Sequence, residues 1–368
     1  MHKKSVAVLD IGSSKIEAVI GERGVNKTFI IKARKSFAFD GFSEGEFFNV
    51  AELKSVIFAC ADFLKKSAKG SLNDVYVGVP GDFTRVFVKD AQISFSKKKK
   101  IDENDINNLY ESAFVMKSTK YKLINRSAII YELDDYRRLS YPVGSYSEIL
   151  KGKLSFVLCT KYFIDLVKPA LESCGFRNVE LVSTTLAEAM YLLEAEERDR
   201  IAMILDVGYI TTTFSLIQGD GILYQSTFGY GGGYITASIT EKLDIGFDDA
   251  EELKRKVNLC RTAIKGVDLI SLENGEYYNS EEVKAIVKNS LDVLCESVSD
   301  CQENSGFNIP EYVPLLITGG GITRLRGAKE HLSGRLGVHT EIISPRVPLM
   351  DKPSESSLLS LLDLALEQ

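Results

Sequence analysis

The sequence contains few of the residues that most metal sites and nucleophilic enzymes require. It has three histidines and six cysteines in 368 residues. No histidine stands near a candidate serine or cysteine nucleophile, and the cysteines show no paired spacing of the zinc-binding kind. The sequence therefore argues against a catalytic triad or a histidine-rich zinc site. Reduced thiols in the core of a cytoplasmic protein are the simplest interpretation of the cysteines.

Long apolar runs and an excess of positive charge are also missing. No stretch approaches the roughly 20 apolar residues of a membrane-spanning helix, and the first apolar run, residues 6–9, is too short for a signal peptide. The formal net charge of −6 argues against nucleic acid as a main partner. A chain of this length predicts two lobes with a cleft between them.

The sequence does contain a repeated strand-turn-strand pattern. Around Asp10, and again around Asp206, an apolar strand meets a carboxylate, turns at a glycine and continues through hydroxyl residues into a second strand. Backbone N–H groups in such a turn can bind phosphate, and the aspartate can hold a hydrated Mg²⁺. One copy alone is usually an ordinary hairpin. Two copies predict two lobes that bind one nucleotide, through Gly12, Ser13, Ser14 and Lys15 in the first turn and Gly208, Thr211 and Thr212 in the second.

A third turn follows the apolar residues 313–317 and consists of Gly319, Gly320 and Gly321. A backbone without side chains lets a flat ligand approach closely, and the N-terminus of the following helix adds a positive partial charge. This order of parts resembles the actin-like ATPase superfamily, with two phosphate loops and an adenosine loop. The resemblance implies an α/β fold of two lobes built from duplicated ribonuclease H-like domains. It also implies ATP or ADP as the cofactor, with Mg²⁺ held through water by Asp10 and Asp206.

Within the superfamily the sequence most resembles the bacterial division protein FtsA, with the pilus-assembly protein PilM as a near relative. Lys15 stands where FtsA proteins have a lysine, and Gly231 and Gly232 match their Gly-Gly turn. Residues 250–254 resemble the helix whose acidic and lysine side chains contact the ribose and base. The resemblance implies this role for Glu252 and Lys254.

Residues from about 72 to 177 predict a compact α+β unit. Its predicted strands are 75–79, 85–95, 128–133 and 154–159, and its predicted helices are 103–116 and 163–173. In FtsA and PilM this part of the chain contains a small SHS2-type subdomain called 1C. The resemblance implies four parts: 1A at residues 1–82, 166–202 and 344–368, 1C at 83–165, 2A at 203–240 and 310–343, and 2B at 241–309.

Departures from the family pattern bear on hydrolysis. Thr184 stands where the family usually has a glutamate, and a hydroxyl of high pKa cannot act as a base near pH 7, although it can hydrogen-bond a water. Tyr209 and Ile210 replace glycines of the second phosphate loop, and Gly233 replaces an aspartate. We find no spare acid near the loops. The sequence therefore predicts nucleotide binding with slow or absent ATP hydrolysis.

The resemblance also implies partners and a location. An FtsA-like adaptor would bind a tubulin-like, FtsZ-like division-ring protein through 2B and would self-associate through 1C. It would act in the cytoplasm, at the inner face of the inner membrane at the division site. Three alternatives remain: a PilM-like pilus adaptor bound to an inner-membrane protein, a small-molecule kinase of the same superfamily, and a scaffold without nucleotide.

The last segment, residues 356–368, has a broad face of leucines. Such a face could lie on a membrane surface, as the terminal helix of FtsA does. The segment has no lysine or arginine, however, and Asp363 and Glu367 would be repelled by anionic lipid. We therefore predict a core helix of the first lobe, and no membrane anchor within this chain.

Overall fold

The computed structural model describes residues 5–25, 28–68, 70–114, 118–261 and 268–367. The strands in these ranges are β1 Ser5–Ile11, β2 Lys15–Arg23, β3 Phe29–Ala38, β4 Phe42–Ser43, β5 Glu46–Phe47, β6 Asp74–Val79, β7 Thr84–Lys100, β8 Tyr121–Leu133, β9 Arg138–Leu139, β10 Tyr146–Thr160, β11 Asn178–Ser183, β12 Ala202–Val207, β13 Thr212–Gln218, β14 Gly221–Phe228, β15 Leu269–Ser271, β16 Tyr277–Asn279, β17 Leu315–Thr318 and β18 Thr340–Ile342. The helices are α1 Val50–Ser67, α2 Glu103–Ala113, α3 Lys161–Ser173, α4 Thr184–Leu192, α5 Ala195–Arg198, α6 Gly232–Leu243, α7 Phe247–Lys256, α8 Ser280–Asn304, α9 Ala328–Leu336 and α10 Ser356–Glu367.

The first lobe is built on a five-stranded sheet in the order β11-β6-β1-β2-β3. Strand β1 pairs antiparallel with β2 and parallel with β6. Leu9 and its neighbours on one face pack with α1 and α3, whereas Val8 on the other face packs with α10. Because both faces of β1 are covered, its sequence is a continuous apolar run and not an alternating pattern.

The second lobe repeats this plan in a sheet of the order β14-β13-β12-β17-β18. Strand β12 pairs antiparallel with β13 and parallel with β17, as β1 does with β2 and β6. Helices α6 to α9 contribute to the core of this lobe. The matching strand order and pairing confirm the predicted α/β architecture of two related lobes.

The inserted unit is an antiparallel sheet in the order β7-β10-β8-β9, with α2 packed against it. The wider unit predicted from about residue 72 to 177 is wrong at both ends, although the division into 1A and 1C had placed residues 75–79 in 1A. The predicted strand at 75–79 is β6, which lies between β1 and β11 in the first-lobe sheet, and the predicted helix at 163–173 is α3, which packs on α1. Strand β7 also continues to Lys100, well beyond its predicted end. The predicted end of α2, at residue 116, lies outside the described residues, and the four subdomain boundaries stay predictions.

The inserted sheet contacts the second lobe directly. Ser155 in β10 donates its hydroxyl to the carbonyl of Ile222 at 2.7 Å, and Ile129 in β8 packs into the second-lobe core. Closer to the cleft, Gln225 Nε2 donates to the carbonyl of Gly81 at 3.1 Å and to Thr84 Oγ1 at 2.7 Å. Strand β14 therefore connects the second lobe to the residues where the inserted sheet begins.

The core position predicted for the last helix is confirmed. Four of its leucines, Leu358, Leu359, Leu361 and Leu362, pack on the first-lobe sheet and are buried. The close approach of Leu362 requires Gly21, because a Cβ there would lie 2.8 Å from Leu362 Cδ1. Asp363 pairs with Arg23 of β2. Among the helices in the described ranges, none is both long and apolar enough to cross a membrane.

Substituting Leu362→Ala tests how much this helix stabilises the first lobe. We expect a loss of about 2–5 kcal/mol in the free energy of unfolding, because truncating a fully buried leucine removes apolar contacts and leaves a cavity. Leu349→Ala is the matched control, since Leu349 is 95% exposed and its truncation should change stability by less than about 0.5 kcal/mol. Urea denaturation of both variants measures the difference. Equal values for the two would show that α10 adds nothing to the core.

Candidate functional site

The two predicted phosphate turns have the same internal hydrogen bond. Gly12 N donates to the carbonyl of Lys15 at 3.0 Å, and Gly208 N donates to the carbonyl of Thr211 at 2.9 Å. The turns also contact each other, because Ile210 N donates to Ser13 Oγ at 3.0 Å. Each lobe therefore presents one turn to a common cleft.

A cavity of about 410 Å³ lies at this cleft and is lined by both turns. The lining includes eleven of the predicted site residues, which are Asp10, Gly12, Ser13, Ser14, Lys15, Thr184, Asp206, Gly208, Thr211, Gly319 and Gly320. The six that do not line it are Thr212, Gly231, Gly232, Glu252, Lys254 and Gly321. The structure thus brings the predicted phosphate-side residues together, and it separates most of the predicted ribose-side and base-side residues from the cavity.

Three of the six residues are glycines at which main chains cross. A Cβ on Gly232 would lie 2.4 Å from the carbonyl oxygen of Gly321, and one on Gly321 would lie 2.2 Å from that of Gly208. A Cβ on Gly231 would also lie 2.6 Å from the oxygen of Gly208. These glycines allow the start of α6 and two turns to pack backbone against backbone. Their close packing is architectural, and their predicted contact with a nucleotide stays a prediction.

The other three residues have partners within the protein. Thr212 donates its hydroxyl to the carbonyl of Tyr230 at 2.6 Å. Lys254 is buried and donates to the Gly232 carbonyl and to Thr236 Oγ1, both at 2.9 Å. Glu252 pairs with Lys256 on the surface of α7. Lys254 therefore holds the first turn of α6, and Glu252 does not face the cavity.

Neither residue that replaces a family glycine in the second turn is strained. Among the described non-glycine residues, positive φ occurs at Glu44, Tyr136, Asp244 and Leu349. Tyr209 and Ile210 therefore have ordinary backbone conformations. The turn has its internal hydrogen bond from Gly208 N to the carbonyl of Thr211, so it forms with these larger side chains in place.

Two aspartates lie at matching positions in the cleft, each near the end of its strand. Asp10 accepts a hydrogen bond from Ser357 Oγ, and burial raises the pKa of its carboxyl to about 7. Burial also raises the pKa of Asp206 to about 6. Asp206 lies directly against Gly319, whose φ is +87° and where a Cβ would be 2.3 Å from the carboxylate. The cavity therefore contains acids that are removed from water and short of positive partners.

A third acid, Glu188, lines the same cavity, so the expectation that no spare acid lies near the loops is wrong. Ser183 accepts a hydrogen bond from Leu186 N and starts α4, which places Thr184 and Glu188 one turn apart on one face. Glu188 is 2% exposed, and burial, with Asp206 and Asp10 nearby, raises the pKa of its carboxyl. Neither Glu188 Oε1 nor Thr184 Oγ1 has a hydrogen-bond partner within the described residues. In the sequence, Glu188 could have been found because it follows Thr184 by four residues, which places both side chains on one face of a helix.

Two basic residues, Lys15 and Arg324, also line the cavity. Lys15 pairs with the buried Glu17 at 3.1 Å, and Arg34 pairs with Glu17 at 2.8 Å and also with Glu355. Arg324 is a further lining residue that the sequence analysis did not identify. A cavity lined by both acids and cations can accommodate a metal-bound polyanion.

Hydrated Mg²⁺ fits this donor set. Asp10 and Glu188 are buried and Asp206 is partly buried. All three acids have raised pKa values, so a cation among them would stabilise their ionised forms. Within the described ranges, no group of three ligating side chains is close enough to hold an ion directly. Contact through coordinated water is the arrangement compatible with both observations.

Comparison with known proteins identifies the family. A family model described as type IV pilus assembly protein PilM matches residues 177–360, which is half of the chain. The chain belongs to this family. The matched residues include Thr184, the second phosphate turn around Asp206 and the third turn at Gly319, Gly320 and Gly321.

The chain is also similar to division proteins. It is 21% identical to cell division protein FtsA of Neisseria meningitidis serogroup B, over 89% of the chain and 81% of that protein. It is 22% identical to cell division protein FtsA of Streptococcus pneumoniae serotype 2, over 97% of the chain and 79% of that protein. With the PilM match, these relatives confirm the predicted likeness to FtsA and PilM.

Solved structures share the fold. The chain superimposes on a structure titled PilM-PilN type IV pilus biogenesis complex with a TM-score of 0.67 and 19% identity, over the whole of both chains. It superimposes on MreB 5 of Spiroplasma citri bound to AMPPNP with a TM-score of 0.54 and 12% identity, over 99% of this chain and 95% of the other. The predicted actin-like fold is therefore confirmed.

The buried acids predict how the stability of this PilM-family protein depends on pH without ligand. Folding raises the pKa of Asp10 from 3.8 to about 7, so the folded state binds its proton more tightly. The stability this proton provides is present below about pH 4 and is lost as the pH rises through about 7. We expect Asp10→Asn to be more stable than wild type at pH 8, on the order of 1–3 kcal/mol, with a smaller gain at pH 5.

Urea denaturation at both pH values, in EDTA and without nucleotide, measures this dependence. Asp351→Asn is the control because Asp351 is exposed, and it should follow wild type at both pH values. A constant difference between Asp10→Asn and wild type would refute the assigned cause.

Proposed function

We propose that this protein is a nucleotide-binding adaptor of type IV pilus assembly. ATP or ADP binds with Mg²⁺ between the lobes, and hydrolysis is slow or absent. The observation that carries the proposal is the meeting of the two glycine turns over one cavity, with Asp10 and Asp206 on its wall. Structures of MreB5 of Spiroplasma citri with AMPPNP and with ADP have the same fold, which supports nucleotide as the ligand.

The adaptor role rests on family membership and on the inserted sheet. The related structure titled PilM-PilN type IV pilus biogenesis complex is an assembly with a partner protein. In this chain a groove of about 530 Å³ crosses the inserted sheet, and its lining includes Glu132, Arg138, Lys151 and Lys153. We propose this mixed-charge groove as the contact for a segment of an inner-membrane protein, which would place the adaptor at the cytoplasmic face of that membrane.

A division adaptor is the second candidate. The similarity to FtsA proteins extends over 89% and 97% of the chain in two relatives, beyond the residues that the PilM match covers. In this case residues 241–309 would bind an FtsZ-like protein, and residues 83–165 would bind a second copy. Co-purification with an FtsZ-like protein, in preference to an inner-membrane pilus protein, would favour this candidate.

Calorimetric titration tests the nucleotide site. We expect ATP with Mg²⁺ to bind the wild-type protein, and we expect Asp206→Asn to weaken binding at least about tenfold, or about 1.4 kcal/mol. The reason is that the variant removes one acid from the metal's hydration shell. Asp351→Asn should bind like wild type. If millimolar ATP produced neither heat nor a shift in melting temperature, the proposal would be abandoned.

Slow turnover is a separate expectation. We expect steady-state phosphate release at or below about 10⁻³ s⁻¹, the scale of a GTPase without its activator. Thr184 cannot accept a proton from water near pH 7, and the carboxyl of Glu188 is buried with a raised pKa. Malachite-green assays of wild type and Glu188→Gln measure this rate. Rapid release that the Glu188→Gln variant abolishes would instead identify an ATPase with Glu188 as its base.

A further inference from the structure

Tyr209 lies between the cavity and the helices behind it. Its carbonyl accepts a hydrogen bond from Gly233 N at 2.7 Å, and its ring lies over the first turn of α6. A Cβ on Gly233 would be 3.0 Å from Tyr209 Cε1 and 3.1 Å from Cζ. The ring centroid is 5.9 Å from Lys254 Nζ. The side chain thus extends from the second phosphate turn towards α7.

The ring covers a group of polar atoms that are suited to a nucleoside. Lys254 Nζ, Thr236 Oγ1 and the Glu251 carboxylate lie in mutual contact at this place. Burial, followed by the charge of Glu251, raises the pKa of the Tyr209 hydroxyl, so the ring edge lies near the same acid. Ribose hydroxyls and purine edges need donors and acceptors of these types. In the structure the Tyr209 ring lies beside this group, over Lys254 Nζ.

The composition of the cavity wall agrees with this arrangement. On the second-lobe side the lining consists of Asp206, Gly208, Tyr209, Thr211, Thr213, Gly319, Gly320 and Arg324. Within the described ranges, no lining residue belongs to α6 or α7. The cavity is therefore continuous with the phosphate turns and ends at Tyr209.

We propose that Tyr209 controls nucleoside recognition. While the Tyr209 ring lies over Gly233, the site binds the polyphosphate and Mg²⁺, and the base adds nothing to the binding free energy. A nucleoside contacts Lys254 and Glu251 only after the ring moves. The proposed movement is a rotation of the Tyr209 side chain between staggered rotamers. Such a site discriminates weakly among nucleotides, since its affinity comes from the phosphates. This inference rests on the proposed nucleotide site.

Calorimetry with two probes tests the inference, and both probes are titrated with Mg²⁺. For the wild-type protein we expect ATP and inorganic tripolyphosphate to bind within about threefold of each other. For Tyr209→Ala and Tyr209→Gly we expect ATP to bind about tenfold tighter, because removing the ring exposes the polar group and raises the fraction of binding-competent protein. Tripolyphosphate affinity should not change. Tyr209→Phe should behave like wild type, and so should Tyr312→Ala, whose side chain is 70% exposed.

The possible results separate a failure of this inference from a failure of the proposed function. If the ring instead stacks on the base, Tyr209→Ala will bind ATP more weakly while tripolyphosphate binding persists, which overturns the inference and leaves the proposed function intact. Wild-type binding of ATP more than tenfold tighter than tripolyphosphate overturns it as well, whether or not the variants fold. If neither probe binds wild type or any variant, both the inference and the proposed function fail. ATP binding by Tyr209→Ala alone would support the inference most strongly.

Discussion

The structure depends on the contact between two turns from different lobes. Ile210 N donates to Ser13 Oγ, and this approach places Asp10 and Asp206 in one cavity away from bulk water. Burial then raises the pKa of both acids, as expected where a low dielectric disfavours charge. The fold thus places the carboxylates of Asp10 and Asp206 where their ionised forms are electrostatically unfavourable. A bound cation would stabilise the ionised carboxylates, and this stabilisation would contribute to the free energy of cation binding.

Close backbone packing in the second lobe holds the second phosphate turn in its place at the cavity. Gly232 and Gly321 permit α6 and the third turn to meet, and Lys254 ties the start of α6 to α7 through buried hydrogen bonds. These residues resemble ligand contacts in the sequence because glycine and lysine are also the residues that bind nucleotides. In the structure they position the turn that lines the cavity.

Local patterns account for what the sequence could predict. A strand that ends in aspartate and turns at glycine is encoded within about fifteen residues, and so both strand-turn-strand hairpins and the last helix were predicted correctly. Phosphate binding by the two turns stays a prediction. The wider α+β unit of residues 72–177 wrongly included strand β6, because one of its partners, β11, begins at Asn178, about a hundred residues later. Glu188 was missed because its position depends on which face α4 turns towards the cleft. The cover that Tyr209 provides over Gly233 likewise depends on a rotamer, which no spacing specifies.

The bridge made by Gln225 has a mechanical consequence. Its amide nitrogen bonds two groups, on Gly81 and Thr84, at the point where the chain leaves the first lobe and enters the inserted sheet. Ser155 adds a second attachment to the same lobe further along that sheet. In the chain the inserted sheet interrupts the first lobe, but these contacts attach it to the second lobe. If the angle between the lobes changes, the inserted sheet therefore moves with the second lobe. Occupancy of the cleft would in this way be sensed at a surface built from another part of the chain.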